Sequence, residues 1–316
     1  WRREAEVRIA RHRISTCTLS VTHAGRPVAG RRLRARLARP EFLFGTCIAG
    51  DPSSADEDQQ RYFHEAAARF TALTCENAMK WYATEPKAGD LRFAEADALL
   101  AWGESRGLPM RGHCLLWSKE KFAQEWVRGL DPATLRVAVA SQVERTASRW
   151  RGRLACWDAF NELLDGRYYH ERLGDGIAAE VFRQAAACDP AAPLFVNEYG
   201  VLDGGEKQRR YLDLIAALRA AGAPVGGIGL QEHACERFAG DRDAAAADET
   251  RPERQGRGPL IPDEVWRRLD DYAATGLPLH ITEVSCRTDD EERRAEALEM
   301  FLITAYAHPA VRAFTL

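Results

Sequence analysis

From Glu41 onward, eight short apolar runs alternate with longer amphipathic segments, and this alternation limits the fold more than any other feature. The runs cover 42–48, 72–75, 109–115, 154–160, 194–197, 226–231, 279–282 and 311–316. Between them lie helical patterns at 93–106, 135–150, 177–187, 207–220, 263–274 and 291–306, where apolar residues recur at three- and four-residue steps. In 207–220, for example, Tyr211, Leu212, Leu214, Ile215 and Leu218 gather on one face. Strand and helix alternating every 30–45 residues or so imply parallel strands joined by right-handed crossovers. Eight such units predict an α/β fold, a closed (β/α)8 TIM barrel, rather than an open sheet. No Gly-x-Gly-x-x-Gly follows the first strand, and neither a Gly-x-Ser-x-Gly elbow nor a His-Glu-x-x-His helix occurs.

Two regions break the repeat. Residues 1–38 read as a charged helical start followed by a hairpin, with strands at 16–21 and 32–37 around a turn through Gly25-Arg26-Pro27. This is an N-terminal extension packed on a barrel spanning 39–316. Residues 240–258, rich in Asp, Ala, Arg and Gly, predict a long loop after the sixth strand, on the catalytic face. A net charge of -3 argues against nucleic acid and anionic membranes as partners. No uncharged apolar stretch approaches the roughly 18–20 residues of a membrane-spanning helix. The eight cysteines are widely spread, with no Cys-x-x-Cys pair. They read as free thiols, with Cys47, Cys75, Cys114, Cys156 and Cys286 in or beside buried strands, and no metal-ligand spacing is present.

In a barrel, functional groups gather at the C-terminal ends of the strands. Those ends carry Glu76, Asn77 and Lys80 after the second strand, His113 and Trp117 at the third, and Asn161 and Glu162 at the fourth. The fifth ends with Asn197, Glu198 and Tyr199, the sixth with Gln231, Glu232 and His233, and the seventh with Glu283. Amide, imidazole, carboxylate and aromatic groups dominate, the chemistry that grips sugar hydroxyls and pyranose faces. A carboxylate at the end of a buried strand is costly unless paired or working. Two of them, Glu162 and Glu283, directed into one cleft are what glycoside hydrolysis requires. Trp81 and Trp157 read as packing residues, His64 and Glu65 as a solvated helix face, and His280 as a side chain without a role.

Six motifs lie in order along 42–316: Glu76-Asn77-Ala78-Met79-Lys80-Trp81 with Thr84-Glu85-Pro86; Arg111-Gly112-His113-Cys114-Leu115-Leu116-Trp117; Trp157-Asp158-Ala159-Phe160-Asn161-Glu162; Leu194-Phe195-Val196-Asn197-Glu198-Tyr199; Gly227-Ile228-Gly229-Leu230-Gln231-Glu232-His233; and Ile281-Thr282-Glu283. With these the chain resembles glycoside hydrolase family 10, the endo-β-1,4-xylanase family. Cys114 and the Leu163-Leu164-Asp165-Gly166 stretch place the resemblance nearest the plant-type branch. It implies a retaining endo-xylanase with Glu162 as general acid/base and Glu283 as nucleophile. Asn161 would bind the 2-hydroxyl of the sugar being cleaved, and His233 would orient Glu283. His113 and Gln231 would line the same subsite, and Glu76, Asn77 and Lys80 would grip the next sugar toward the non-reducing end. Trp117 would wall a sugar face, and Tyr199 would stand on the leaving-group side. The implied substrate is xylan or a xylo-oligosaccharide, acted on by a secreted monomer without metal or organic cofactor.

The chain departs from the family pattern at Ser285, where an aspartate usually pairs with the histidine, and at Ser118-Lys119-Glu120, where His-Ser-Gln is usual. Glu232 adds a carboxylate expected near the cleft, and Asn197-Glu198-Tyr199 replaces Asn-Asp-Tyr. Two further readings stay open: a catalytically weak barrel that binds glycans or a partner, and a hydrolase of another β-linked polymer. The chain opens on Trp1 without a signal peptide and stops at the eighth strand, so it reads as a trimmed fragment lacking the last helix. Apolar surface left by that helix predicts limited stability. Calorimetry tests this: a cooperative melt above the ordinary mesophilic range of about 45–65 °C would refute it.

Overall fold

In the computed structural model the described residues are 1–37, 40–240 and 258–316; the loop predicted at 240–258 falls almost wholly outside them. A helix, α1 (Arg2–His12), leads to a two-residue antiparallel ribbon, β1 (Thr22–His23) and β2 (Arg26–Pro27). Eight parallel strands then close into a barrel: β3 (Leu43–Ile48), β4 (Ala72–Cys75), β5 (Met110–Trp117), β6 (Cys156–Asn161), β7 (Leu194–Tyr199), β8 (Val225–Glu232), β9 (Leu279–Val284) and β10 (Val311–Thr315). Closure is made by β10 against β3, with Ala313 opposite Leu43 and Thr315 opposite Gly45. The surrounding helices are α2 (Glu57–Arg69), α3 (Trp81–Thr84), α4 (Ala94–Ser105), α5 (Glu125–Arg128), α6 (Pro132–Arg149), α7 (Tyr168–Leu173), α8 (Ile177–Cys188), α9 (Gly205–Ala220), α10 (Pro262–Ala273) and α11 (Glu291–Tyr306).

Each barrel strand predicted from the sequence is present and in order. β5 and β6 are buried almost throughout, as strands covered on both faces must be. Helix starts follow capping chemistry. Asp131 accepts from the N–H groups of Ala133 and Thr134, with Pro132 at the first helical position, and Asp56 and Asp290 cap α2 and α11 in the same way.

The main differences lie at the N-terminus and at the strand ends. The ribbon is confined to 22–27 and is exposed; among the described residues, 16–21 and 32–37 form no strand, and Val21 alone of them continues the pairing, its carbonyl accepting from the Val28 N–H (2.9 Å). Among the described residues of the extension, α1 and its flanking residues pack on the barrel. Ala5 is buried, and the Arg13 guanidinium donates to the carbonyls of Tyr306 (2.8 Å), His308 (2.7 Å) and Val311 (2.7 Å). At the strand ends, β5, β7 and β9 run two residues past the apolar runs, since polar residues that face the cleft still pair along the ladder. Tyr199 lies opposite Gln231, Gln231 opposite Glu283, and Trp117 opposite Asn161.

Trp157 occupies the space that a side chain at residue 112 would need: a Cβ on Gly112 would lie 2.2 Å from the indole Cε3. Gly112→Ala therefore forces the ring off its packing. The expected loss is about 1–3 kcal/mol, read as a melting temperature several degrees lower. An unchanged melt would show that the ring has room to move.

Candidate active site

The end of β9 places Glu283 in a cavity of about 290 Å³, lined among others by Glu76, Asn77, Lys80, His113 and His233. Asn197 at the end of β7 donates from one amide nitrogen to Glu283 Oε1 (2.8 Å) and to Asn161 Oδ1 (2.9 Å). Thr282 fixes that amide by donating to Asn197 Oδ1 (2.6 Å), and Gln231 also donates to Asn161 Oδ1 (3.2 Å). One amide thus ties Glu283 to the residue preceding Glu162, across three strands.

His233 Nε2 lies 3.4 Å from Glu283 Oε2 and 3.2 Å from Gln231 Oε1. Its Nδ1 is 3.1 Å from the Ser285 hydroxyl, so a neutral partner stands where the family usually has aspartate. Burial alone would push the Glu283 carboxyl up. The hydrogen bond from His233, the charges of His113 and His233, and the Asn197 amide outweigh it and hold the group down at about 2.

A second layer lies below. His113 Nδ1 donates to Asp158 Oδ2 (2.8 Å), and its Nε2 is 3.9 Å from Glu283 Oε1. Arg111 donates to both Asp158 oxygens, through Nε at 2.8 Å and through Nη2. Burial works against ionised Asp158, but Arg111 and His113 hold its carboxyl below the usual range. His280, given no role from the sequence, accepts from Arg111 (3.0 Å), and burial with the Arg111 charge pushes it down to about 3.

Glu162 follows β6 directly with φ 56°, a left-handed conformation rare for glutamate. The strand and the following turn hold it there. Its N–H donates to the Asn197 carbonyl (2.8 Å), and its carbonyl accepts from Gly166 N–H (3.1 Å). Lys119 reaches its carboxylate at 3.2 Å and donates to the Tyr199 hydroxyl (3.1 Å). Tyr199 donates to Asp165 (2.6 Å), which also accepts from Lys207 (2.6 Å). Asp165 is pushed up by burial, yet Lys207 and Tyr199 bring it below its ordinary value.

On the other side, Asn77 accepts from Lys80 (3.3 Å) and Tyr82 (2.7 Å), and Glu76 lines the same cavity. Trp117 is half-buried and one face is already stacked on Phe122, centroids 3.5 Å apart, with the Lys80 ammonium 4.7 Å from the ring. It is a packed ring more than the open wall expected. Glu232 is corrected: its side chain is fully buried and ion-paired to Arg237 at 2.8 Å, and it is not among the residues that line the cavity. Cys47, expected inside, is exposed and lines the cavity. The sequence reading gave no role to Arg111, Asp158, Lys119 or Lys207. A signal existed for the first two: opposite charges inside adjacent apolar strands must find each other.

These observations meet those from known proteins. The Glycosyl hydrolase family 10 model matches residues 34–315. "Endo-1,4-beta-xylanase 1" of Arabidopsis thaliana is 32% identical over 91% of this chain and 28% of its own. "Anti-sigma-I factor RsgI6" of Acetivibrio thermocellus is 30% identical over 98% of this chain and 37% of its own. The chain thus spans 28% and 37% of the length of these two relatives. Native xylanase 10B from Thermotoga maritima superposes with a TM-score of 0.74 at 25% identity, covering 87% of this chain and 82% of that one.

Glu198 carries the pH prediction of this site. Its side chain is fully buried, accepting from the N–H groups of Leu164 (2.9 Å) and Tyr199 (3.1 Å). Burial raises its carboxyl from 4.5 to about 8, against the pull of Lys207 and the Leu164 N–H. The folded chain keeps this proton where the unfolded chain releases it, so the stability it confers is full below 4.5 and fades as pH rises through 8. Glu198→Gln should flatten the fall in melting temperature across that window, and an unchanged slope would assign the dependence to other groups.

Proposed function

The chain belongs to glycosyl hydrolase family 10, and from that premise we propose that it is a retaining endo-β-1,4-xylanase. The observation that carries the reading is the Asn161–Asn197–Glu283 link, which joins the strand end bearing Glu162 to a carboxyl held ionised at about 2. An ionised carboxylate in a sugar-sized cavity suits nucleophilic attack, and a second carboxyl at the end of another strand, β6, suits proton transfer.

In the proposed reaction Glu283 attacks the anomeric carbon of an internal xylosyl unit. The glycosidic C–O bond breaks as the leaving oxygen takes the Glu162 proton. Glu162, now a carboxylate, removes a proton from water, whose oxygen displaces Glu283 and restores both groups. Asn161 binds the 2-hydroxyl, while His113 and Gln231 line that subsite. Glu76, Asn77 and Lys80 grip the next sugar, with Trp117 beside them, and Tyr199 stands on the leaving-group side. His233 positions Glu283. The reaction draws on no metal or organic cofactor, and the acting unit is proposed as a monomer of residues 39–316 with 1–38 as an extension.

One contact favours a second reading, a barrel that binds xylan without turning it over. Lys119 sits on Glu162 at 3.2 Å, so an ammonium occupies the place beside that carboxylate that a glycosidic oxygen would need. Under the hydrolase reading the entering sugar displaces Lys119. A relative named for anti-sigma activity rather than hydrolysis keeps the binding reading in view.

Reducing-sugar release from soluble xylan separates the two. The wild type is expected to be active, with Glu283→Ala reduced to background and Glu162→Ala reduced by about 10²–10⁴-fold. Glu162→Ala should recover on aryl xylosides whose leaving group departs without a proton. Folded wild type that binds xylan and releases no sugar would establish the binding reading instead.

A further inference from the structure

The eight cysteines, scattered in sequence, do not stay scattered in space. Cys235 lies two residues past His233, and Cys286 three residues past Glu283. The two segments run side by side beyond β8 and β9, with Ser285 N–H donating to the Glu232 carbonyl (3.0 Å) and Cys235 N–H to the Ser285 carbonyl (3.0 Å). The two thiol sulfurs and a carboxylate oxygen of Glu236 all fall within 4.8 Å of one another.

Glu236 is the unusual member. It is 1% exposed, and its hydrogen bond comes from the Arg287 N–H (3.0 Å). Among the described residues no lysine, arginine or histidine reaches it at ion-pair distance, unlike buried Asp158 and Glu232, each held by an arginine. A buried carboxylate without a cation is costly. Two thiols beside it supply the soft ligands that would complete a cation site, and the Arg287 N–H orients the carboxylate as an outer-shell donor does.

We propose that Cys235, Glu236 and Cys286 bind a thiophilic divalent cation of the zinc type, clamping together the segments that follow His233 and Glu283. Zinc bonds of about 2.0–2.3 Å in a tetrahedron put ligand atoms about 3.3–3.8 Å apart, so side-chain movements of about an ångström close the site. Binding releases the two thiol protons to solvent and involves no change of oxidation state. Cys286, half-buried, is the side from which the ion enters, and a water takes the remaining position. The site is separate from the carboxylates of the cleft and does not depend on the reaction assigned to them.

The test uses the chain purified under reducing conditions, loaded with zinc chloride and desalted. Metal analysis should find stoichiometric zinc, and the melting temperature should rise on loading. Glu236→Gln and Cys286→Ser should each weaken binding by more than about tenfold. The glutamine variant keeps both thiols and the size of the side chain, so loss of zinc from a folded Glu236→Gln protein isolates the carboxylate. Zinc absent from the folded wild type, or zinc retained equally by both variants, would overturn the proposal. So would a Cys235–Cys286 disulfide in the peptide map of protein isolated without reductant, since a cross-linked pair cannot ligate.

Discussion

The ionised Asp158, buried in β6, is the constraint on which the site rests. A carboxylate there is tolerable only with Arg111 gripping both oxygens and His113 donating to one of them. Those two partners lie on β5, and Arg111 extends to His280 on β9, so one buried charge fixes three strands. Removing one partner of such a pair generally costs about 3–5 kcal/mol, because the other is left charged and dry. The functional return is orientation: with Nδ1 committed to Asp158, His113 turns Nε2 toward Glu283.

Much of the barrel was legible because its strands are buried on both faces and so appear as unbroken apolar runs. The same logic failed where burial stops. Residues 16–21 carry β-branched side chains and pattern as a strand, but a strand needs a partner along its length, and among the described residues Val21 alone of them has one, in Val28. It also ended strands early at Leu115, Asn197 and Thr282, since polar residues at the rim stay in the ladder while facing the cleft.

Within the site, position along the chain gave the residues but not their partners. Glu162, Glu283, Asn161, Gln231 and His233 fall where strand ends and motif order put them. Glu232 was misplaced because its ion pair is with Arg237, five residues on and within a turn that no periodicity marks. Lys119 and Lys207 were given no role, because only the fold brings both to Tyr199. Cys235 and Cys286 show the same limit more sharply: ligand spacing is a local pattern, whereas neighbouring parallel strands are separated by a whole crossover.

The two carboxylates of the cleft are held by different means, and the difference suits their proposed tasks. Glu283 sits among fixed donors, the Asn197 amide and the His233 ring, each locked by a further contact to Thr282 or Ser285. That arrangement is ready before any sugar arrives, which is what preorganised electrostatics requires of a group that must stay ionised. Glu162 instead has a fixed backbone and a movable partner. Its left-handed φ is pinned by Asn197 and Gly166, while the cation beside it stands at the end of a flexible lysine chain. A group that must gain and lose a proton within one cycle benefits from a charge that can approach and withdraw. The Tyr199–Asp165–Lys207 chain gives the ammonium a second place to rest when it leaves Glu162.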